Sequence, residues 1–220
     1  LEAEQAECRA KARILAAPPR PPFDLLETLL WTPTDGIRLL ELHLARLRDS
    51  ADYFDYPCDL ARIRTTLETL VRTLPPAPQR LRLLLAADGT PTLQSAPLAP
   101  RASGPFFRVA LARRPVDPDD VFLYHKTTQR RVYEAAKADF PGHDDVILWN
   151  EVGEVTESTI ANLAVELDGA LCTPPVECGL LPGVARAELL ARGVLRERRL
   201  SLDELRAAPR LFLLNSVRGL

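Results

Sequence analysis

Asp-Gly stands three times between apolar runs, and that repetition limits the possible folds more than any other feature of the chain. The pairs are Asp35-Gly36, Asp88-Gly89 and Asp168-Gly169. Each favours the tight turns with positive φ that join neighbouring antiparallel strands. They separate residues 23–31 from 37–39, 81–87 from 90–93, and 163–167 from 170–173. Three hairpins require a substantial antiparallel sheet. Between the first two, the periodicity changes. Leu40, Leu44, Leu47, Ala51 and Phe54, then Leu60, Ile63, Leu67, Leu70 and Leu74, recur every three or four residues, which is the apolar stripe of a helix.

The first half therefore reads β-β-α-α-β-β, followed by a strand near 106–111. The polar, proline-punctuated stretch 113–119 has the composition of an interdomain linker. Beyond it the sequence predicts a helix over 128–140, a strand at 146–149, the third hairpin and a helix from Val184. A strand at 194–199, a short helix at 202–207 and a strand at 211–215 complete the order. The expected fold is α+β in two domains: a small one at 23–112 and a larger one at 120–220, with a cleft between them. Residues 1–22 read as a helix followed by a proline-rich linker.

Apolar residues make up 46% of the 220, enough for a sizeable core, and 28 basic groups nearly cancel 30 acidic ones. No basic stripe favours a nucleic acid or a membrane surface. No apolar run approaches the roughly 20 residues needed to span a bilayer. The expected setting is the cytoplasm and the expected partner a small-molecule substrate. Cys8, Cys58, Cys172 and Cys178 lack CxxC spacing, and His43, His125 and His143 are too scattered for an obvious metal cluster, so no metal site is expected. GxSxG, HExxH, P-loop and GxGxxG signatures are absent. The chain begins at Leu1 and contains no Met, as a piece of a longer protein would.

Candidate chemistry is sparse. Only Lys11, Lys126 and Lys137 are lysines among the 28 basic residues. Lys126 follows the aromatic-rich Phe122-Leu123-Tyr124-His125, where desolvation would lower its pKa and give a nucleophilic amine; an ordinary surface lysine at a helix start fits the same residues. Leu181-Pro182-Gly183-Val184-Ala185-Arg186 is a tight turn into a helix whose free N–H groups suit an anion, although any helix can begin this way. The acidic segment 151–162 reads as a solvated loop, unless one carboxylate points inward to a cation. His43 and Arg46 share a helix face, and a half-buried arginine there wants a carboxylate or a phosphate, or else snorkels to solvent.

In order, the segments HLARL, YHKTTQR, EVTESTIANL, LCTPP, LPGVAR and LLNSVRG resemble the fold type IV pyridoxal-phosphate enzymes. These include branched-chain and D-amino acid aminotransferases and, nearest to this wording, the 4-amino-4-deoxychorismate lyases. The resemblance implies a two-domain α+β fold of the D-amino acid aminotransferase kind, with pyridoxal 5'-phosphate between the domains and usually a homodimer. It implies that Lys126 is the Schiff-base lysine and that Glu157 pairs with the cofactor's pyridine nitrogen. Arg46, the N–H groups of Val184 and Ala185, and the Ser216 hydroxyl would hold the phosphate, with Thr28 on the substrate side. Residues 1–16 resemble the last helix of a chorismate-binding domain, as in a fused aminodeoxychorismate synthase–lyase. The expected reaction is conversion of aminodeoxychorismate to 4-aminobenzoate and pyruvate for folate synthesis. An aminotransferase of the same fold and an inactive assembly domain are the alternatives.

Overall fold

The computed structural model describes residues 21–99 and 107–219; the helix expected over 1–16 lies outside them. The first strand, β1 (Leu25–Thr32), pairs antiparallel with β2 (Gly36–Ile37). Helices α1 (Leu40–Phe54) and α2 (Leu60–Val71) follow, then the hairpin of β3 (Gln79–Leu85) and β4 (Pro91–Pro97). The four strands form one antiparallel sheet in the order β2-β1-β3-β4. Side chains alternate across a strand, so Leu25 and Leu29 of β1 and Leu81, Leu83 and Leu85 of β3 point to one face. There they meet Leu44, Leu47 and Ala51 of α1 and Ile63 and Leu67 of α2. The residues between them, including Leu26, Thr28, Arg80 and Arg82, belong to the opposite face, which lines a cavity.

The second half holds two further sheets. Strands β5 (Val109–Leu111), β6 (Asp145–Trp149) and β7 (Val155–Ser158) form one. The other has the order β10-β9-β8-β11, from β8 (Asn162–Leu167), β9 (Ala170–Thr173), β10 (Leu195–Glu197) and β11 (Leu211–Leu214). Ile147 and Val155 pack against Leu163, Val165 and Leu200 in a shared core. Helix α3 (Arg131–Ala138) presses Tyr133 onto Val146 and Leu148, and α4 (Val184–Ala191) covers Ala164 and Leu195. Helix α5 (Leu202–Ala207) precedes β11. Among the described residues no helix is long and apolar enough to cross a membrane.

All three Asp-Gly hairpins form, by different means. Only at the third do both residues take positive φ, 51° at Asp168 and 74° at Gly169. At the others the glycine alone does so, within longer loops.

Three expectations need correction. The strand near 106–111 is expected within the small domain at 23–112, but Val109–Leu111 pairs in parallel with β6, and its apolar residues pack in the core of the second half. The acidic segment is not a solvated loop. Val155–Ser158 is a fully buried strand whose partner is β6. The helix expected from Thr128 begins at Arg131, because the backbone before it is engaged elsewhere. Leu26 N–H donates to the Lys126 carbonyl (2.8 Å), Thr128 N–H to the Asp24 carbonyl (2.9 Å), and Asp24 N–H to the Thr128 hydroxyl (2.9 Å). The chain around Lys126 is thus stitched to the start of β1.

Glycines 89 and 169 give a test of these turns. Both have positive φ, so alanine at either position costs about 1–2 kcal/mol in backbone conformation alone. A Cβ at Gly89 would also lie 2.8 Å from Pro57, whereas Gly169 faces open space. In urea denaturation Gly89→Ala is expected to lose more stability than Gly169→Ala, by roughly 1–3 kcal/mol for the overlap. Equal losses would show that the Pro57 loop simply moves aside.

Candidate active site

A cavity of about 500 Å³ opens on the free face of the first sheet. Thr28, Arg46, Lys126, Glu157, Val184, Ala185 and Ser216, all singled out in the sequence, line it together. The stitch to β1 brings the Lys126 backbone to the cavity wall, where the residue is partly buried. Burial, and next the Arg46 charge, pull its amine down to about 8, with Glu27 and Glu157 acting in the opposite sense. An amine so placed is available in its neutral, nucleophilic form near neutral pH.

Glu157 lies on β7, only 4% exposed. Its Oε1 accepts from the Tyr133 hydroxyl (2.8 Å) and from Leu181 N–H (3.1 Å), and its Oε2 from Asn162 Nδ2 (3.2 Å). Burial still dominates and pushes the carboxyl up to about 7, against the lowering effect of these bonds and of Lys126. The carboxyl is therefore ready to share a proton with any base that reaches it. Asn162 also donates to the Leu181 carbonyl (2.9 Å), tying β8 to the loop that enters α4.

That loop forms an anion corner. No side chain caps α4 at Gly183 and no acid lies in its first turn, so its leading N–H groups face the cavity. A Cβ at Gly183 would overlap the side-chain oxygen of Asn162, so only glycine permits this close approach. Arg46 closes the corner by donating Nη1 to the Pro182 carbonyl (3.3 Å).

Of the two anions expected for Arg46, the structure supplies the carboxylate. Its Nε and Nη2 grip Glu27 Oε1 and Oε2 at 2.8 and 2.6 Å. Glu27 faces the helices between Leu25 and Leu29, and His43 Nδ1 reaches the same carboxylate at 2.6 Å. Burial alone would raise this carboxyl; the Arg46 charge, with hydrogen bonds from His43 and Arg46, overrides it and holds Glu27 at about 2. The Ser216 hydroxyl donates to the Thr28 carbonyl (3.1 Å), which leaves it only its lone pairs for a further partner.

Several residues in or behind the wall were not singled out in the sequence. Glu27, behind the wall on the core face of β1, is signalled only as an acid within an otherwise apolar strand. Tyr133 lies seven residues after Lys126, on a helix whose start was misplaced, and Asn162 closes the segment read as a loop. Arg130 stacks over the Tyr133 ring at 4.4 Å and donates to the Thr159 carbonyl. Arg80, Arg82 and Arg218 also line the cavity. Among the described residues no group of His, Cys, Asp and Glu could hold a metal ion.

A lysine, a protonatable carboxyl and a helix N-terminus share one cleft. Residues 24–220 match the aminotransferase class IV family. The chain is 32% identical over 205 residues to a Schizosaccharomyces pombe protein provisionally named as an aminodeoxychorismate lyase, covering 89% of this chain and 86% of that one. It superposes on the crystal structure of a provisionally named amino-acid aminotransferase from Mesorhizobium loti with a TM-score of 0.83, at 40% identity, covering 90% and 96% of the two chains. A hypothetical aminotransferase from Mycobacterium tuberculosis, solved with α-ketoglutarate and PMP bound, gives a TM-score of 0.76 at 26% identity, covering 89% and 78%. The chain belongs to the aminotransferase class IV family and has the fold of these fold type IV enzymes.

Tyr133→Phe tests the Glu157 environment without reference to any ligand. The tyrosine hydrogen bond lowers this pKa, so its loss should move the carboxyl titration above about 7. Infrared titration of the carboxyl stretch would show this. An unchanged or lowered midpoint would mean that Tyr133 does not stabilise the ionised form.

Proposed function

We propose that this protein binds pyridoxal 5'-phosphate through Lys126 and acts as a lyase, converting 4-amino-4-deoxychorismate to 4-aminobenzoate and pyruvate in folate synthesis. The observation that carries the cofactor reading is the donor set on one cavity: a desolvated amine, a carboxyl held near neutrality, and an uncapped helix N-terminus beside an arginine. These match an aldehyde, a pyridine nitrogen and a phosphate. PMP in the Mycobacterium tuberculosis relative is the amine form of that cofactor. The lyase reading is supported by the Schizosaccharomyces pombe relative and by the KTTQR and NSVRG wording. A homodimer, a cytoplasmic setting and fusion to a chorismate-binding domain go with it as implications of the resemblance.

Lys126 would bond the cofactor, Glu157 would keep a proton at its ring nitrogen, and Arg46 with the Val184 and Ala185 N–H groups would hold its phosphate. Ser216 would join them only by turning its hydroxyl from the Thr28 carbonyl. When bound, the cofactor supplies an electron sink for the carbon that carries the substrate's nitrogen. With its amine free, Lys126 would act as the base, its Nζ taking the proton from that ring carbon. Loss of the enolpyruvyl oxygen would make the ring aromatic, and Lys126 Nζ would return the proton that turns enolpyruvate into pyruvate. Thr28 lines the cavity and would face the substrate.

Transfer of an amino group to a keto acid is the second reading, favoured by the 40% identity to the Mesorhizobium loti protein. An inactive assembly domain is disfavoured by physics, since a buried amine and a buried carboxyl with shifted titrations cost stability and give a scaffold nothing.

The two enzyme readings part when aminodeoxychorismate is supplied with no keto acid. Sustained formation of pyruvate and 4-aminobenzoate, with the bound-cofactor absorbance recovering, is expected of the lyase. A single turnover that resumes only on adding a keto acid would establish the transferase instead. The pH dependence of cofactor capture gives a second check. Only the neutral Lys126 amine reacts, so the capture rate should rise about tenfold per pH unit and level off above about 8. A rise continuing to the ordinary lysine range near pH 10 would mean that the reacting amine is not desolvated.

A further inference from the structure

The segment around Lys126 is held from a second side. The chain is extended where Leu25 bridges Thr127, and neighbouring side chains there point opposite ways: Lys126 lines the cavity, and His125 turns to helix α1. Three residues from the last turns of α1 clasp the imidazole. His125 Nδ1 and Ser50 Oγ share a hydrogen bond of 3.0 Å. The Tyr53 ring lies 4.4 Å from the imidazole, and the Phe54 ring meets it edge-on at 4.9 Å. Ser50, Tyr53 and Phe54 are spaced i, i+3 and i+4, so they share one helix face. Phe54 in turn packs on Phe23 and Phe122, at 4.9 and 5.9 Å. Ser50 is only 3% exposed, among the buried Leu47 and Ala51. A hydroxyl so placed loses its water and needs a partner, which His125 provides. Arg46 stands one turn before Ser50 on α1, and its charge is second only to burial in lowering the Lys126 amine. One helix thus carries both the charge that acts on the amine and the hydroxyl that grips the residue beside it.

We propose that His125 and Ser50 are positioning residues for Lys126: their hydrogen bond, backed by the Tyr53 and Phe54 rings, sets how closely the amine stands to Arg46. Neither residue lines the cavity, so both act through Lys126 and not on a bound molecule. The stitch to β1 fixes the backbone on one side only. A grip on His125 from the opposite side stops the segment from rolling. Without it, Lys126 would turn towards solvent and away from the arginine charge, and its amine would keep its proton to higher pH. The same bond accounts for a serine among the apolar residues of α1. The proposal rests on the reading that Lys126 is the amine that captures pyridoxal phosphate, and it names what holds that amine in place.

The test follows the capture of pyridoxal phosphate across pH, with samples stopped by borohydride reduction and the labelled lysine identified by peptide mapping. In wild type the label should fall on Lys126 and the capture rate should level off above about 8. S50A removes the hydroxyl, and H125F removes the bond while keeping a ring between Tyr53 and Phe54. Each should raise the midpoint by about one pH unit, which slows capture about tenfold at pH 7. The double variant should shift no further than either single one, because both remove the same bond. H125N, whose amide can pair with Ser50, should recover most of the wild-type profile. Circular dichroism verifies the fold, and S50A, the smallest change, decides the matter if H125F does not fold. A wild-type midpoint in S50A would overturn the proposal, whether or not that variant loses stability in urea. Shifts that add in the double variant would overturn it as well. Label on Lys11 or Lys137 in wild type would instead remove the cofactor reading on which the proposal stands.

Discussion

A carboxylate buried among leucines organises the first half of the molecule. Glu27 occupies the core-facing row of β1, where Leu25 and Leu29 are fully buried, and a charge there is tolerable only with partners. Helix α1 provides both of them, His43 and Arg46, three residues apart on the face that meets the sheet. Removing one member of such a buried set leaves an uncompensated charge and typically costs about 3–5 kcal/mol. The pairing also fixes where α1 lies along β1. Because Arg46 extends from this clamp to Pro182, the same charge reaches from the first sheet to the turn before α4.

The cavity draws the titrations of its two central groups towards each other. Lys126 and Glu157 would normally be cation and anion. Burial moves the amine down and the carboxyl up until both titrate near neutrality. Each still favours the other's charged form, so the site keeps its protons close to balance. That is a useful condition for a group that must alternately take and return one. The surrounding bonds are arranged by strands: β7 presents Glu157, β8 begins with Asn162, and the β1 stitch presents Lys126.

Much of this was legible in the sequence, for reasons that can be named. The helices α1 and α2 each carry a clean apolar stripe, and their positions follow from it. The Asp-Gly pairs marked the hairpins because glycine at positive φ is needed in each. Strand β7 was hidden because its polar Thr156, Glu157 and Ser158 are buried, and burial of polar residues leaves no hydrophobic periodicity to read. The start of α3 was misplaced because the hydrogen bonds of Thr128 go to Asp24, more than a hundred residues away. The membership of Val109–Leu111 depended on a parallel partner 36 residues later, which short-range patterns do not encode. Candidate site residues were recognisable as a set through family resemblance, whereas Glu27 and the arginines of β3 acquire meaning only once the strand faces are known.

Asn162 carries a consequence for how this sequence can change over time. One side chain supports Glu157, fastens the Leu181 carbonyl and fills the space where any residue larger than glycine at 183 would place its first carbon. Positions 162 and 183 are therefore locked in an ordered pair of steps. A side chain can appear at 183 only in a lineage that has already shortened or turned the one at 162, and that first step removes one support from the carboxyl and one from the loop. Drift at this corner must pass through a weakened intermediate, so the two residues should persist together for far longer than either contact alone would require.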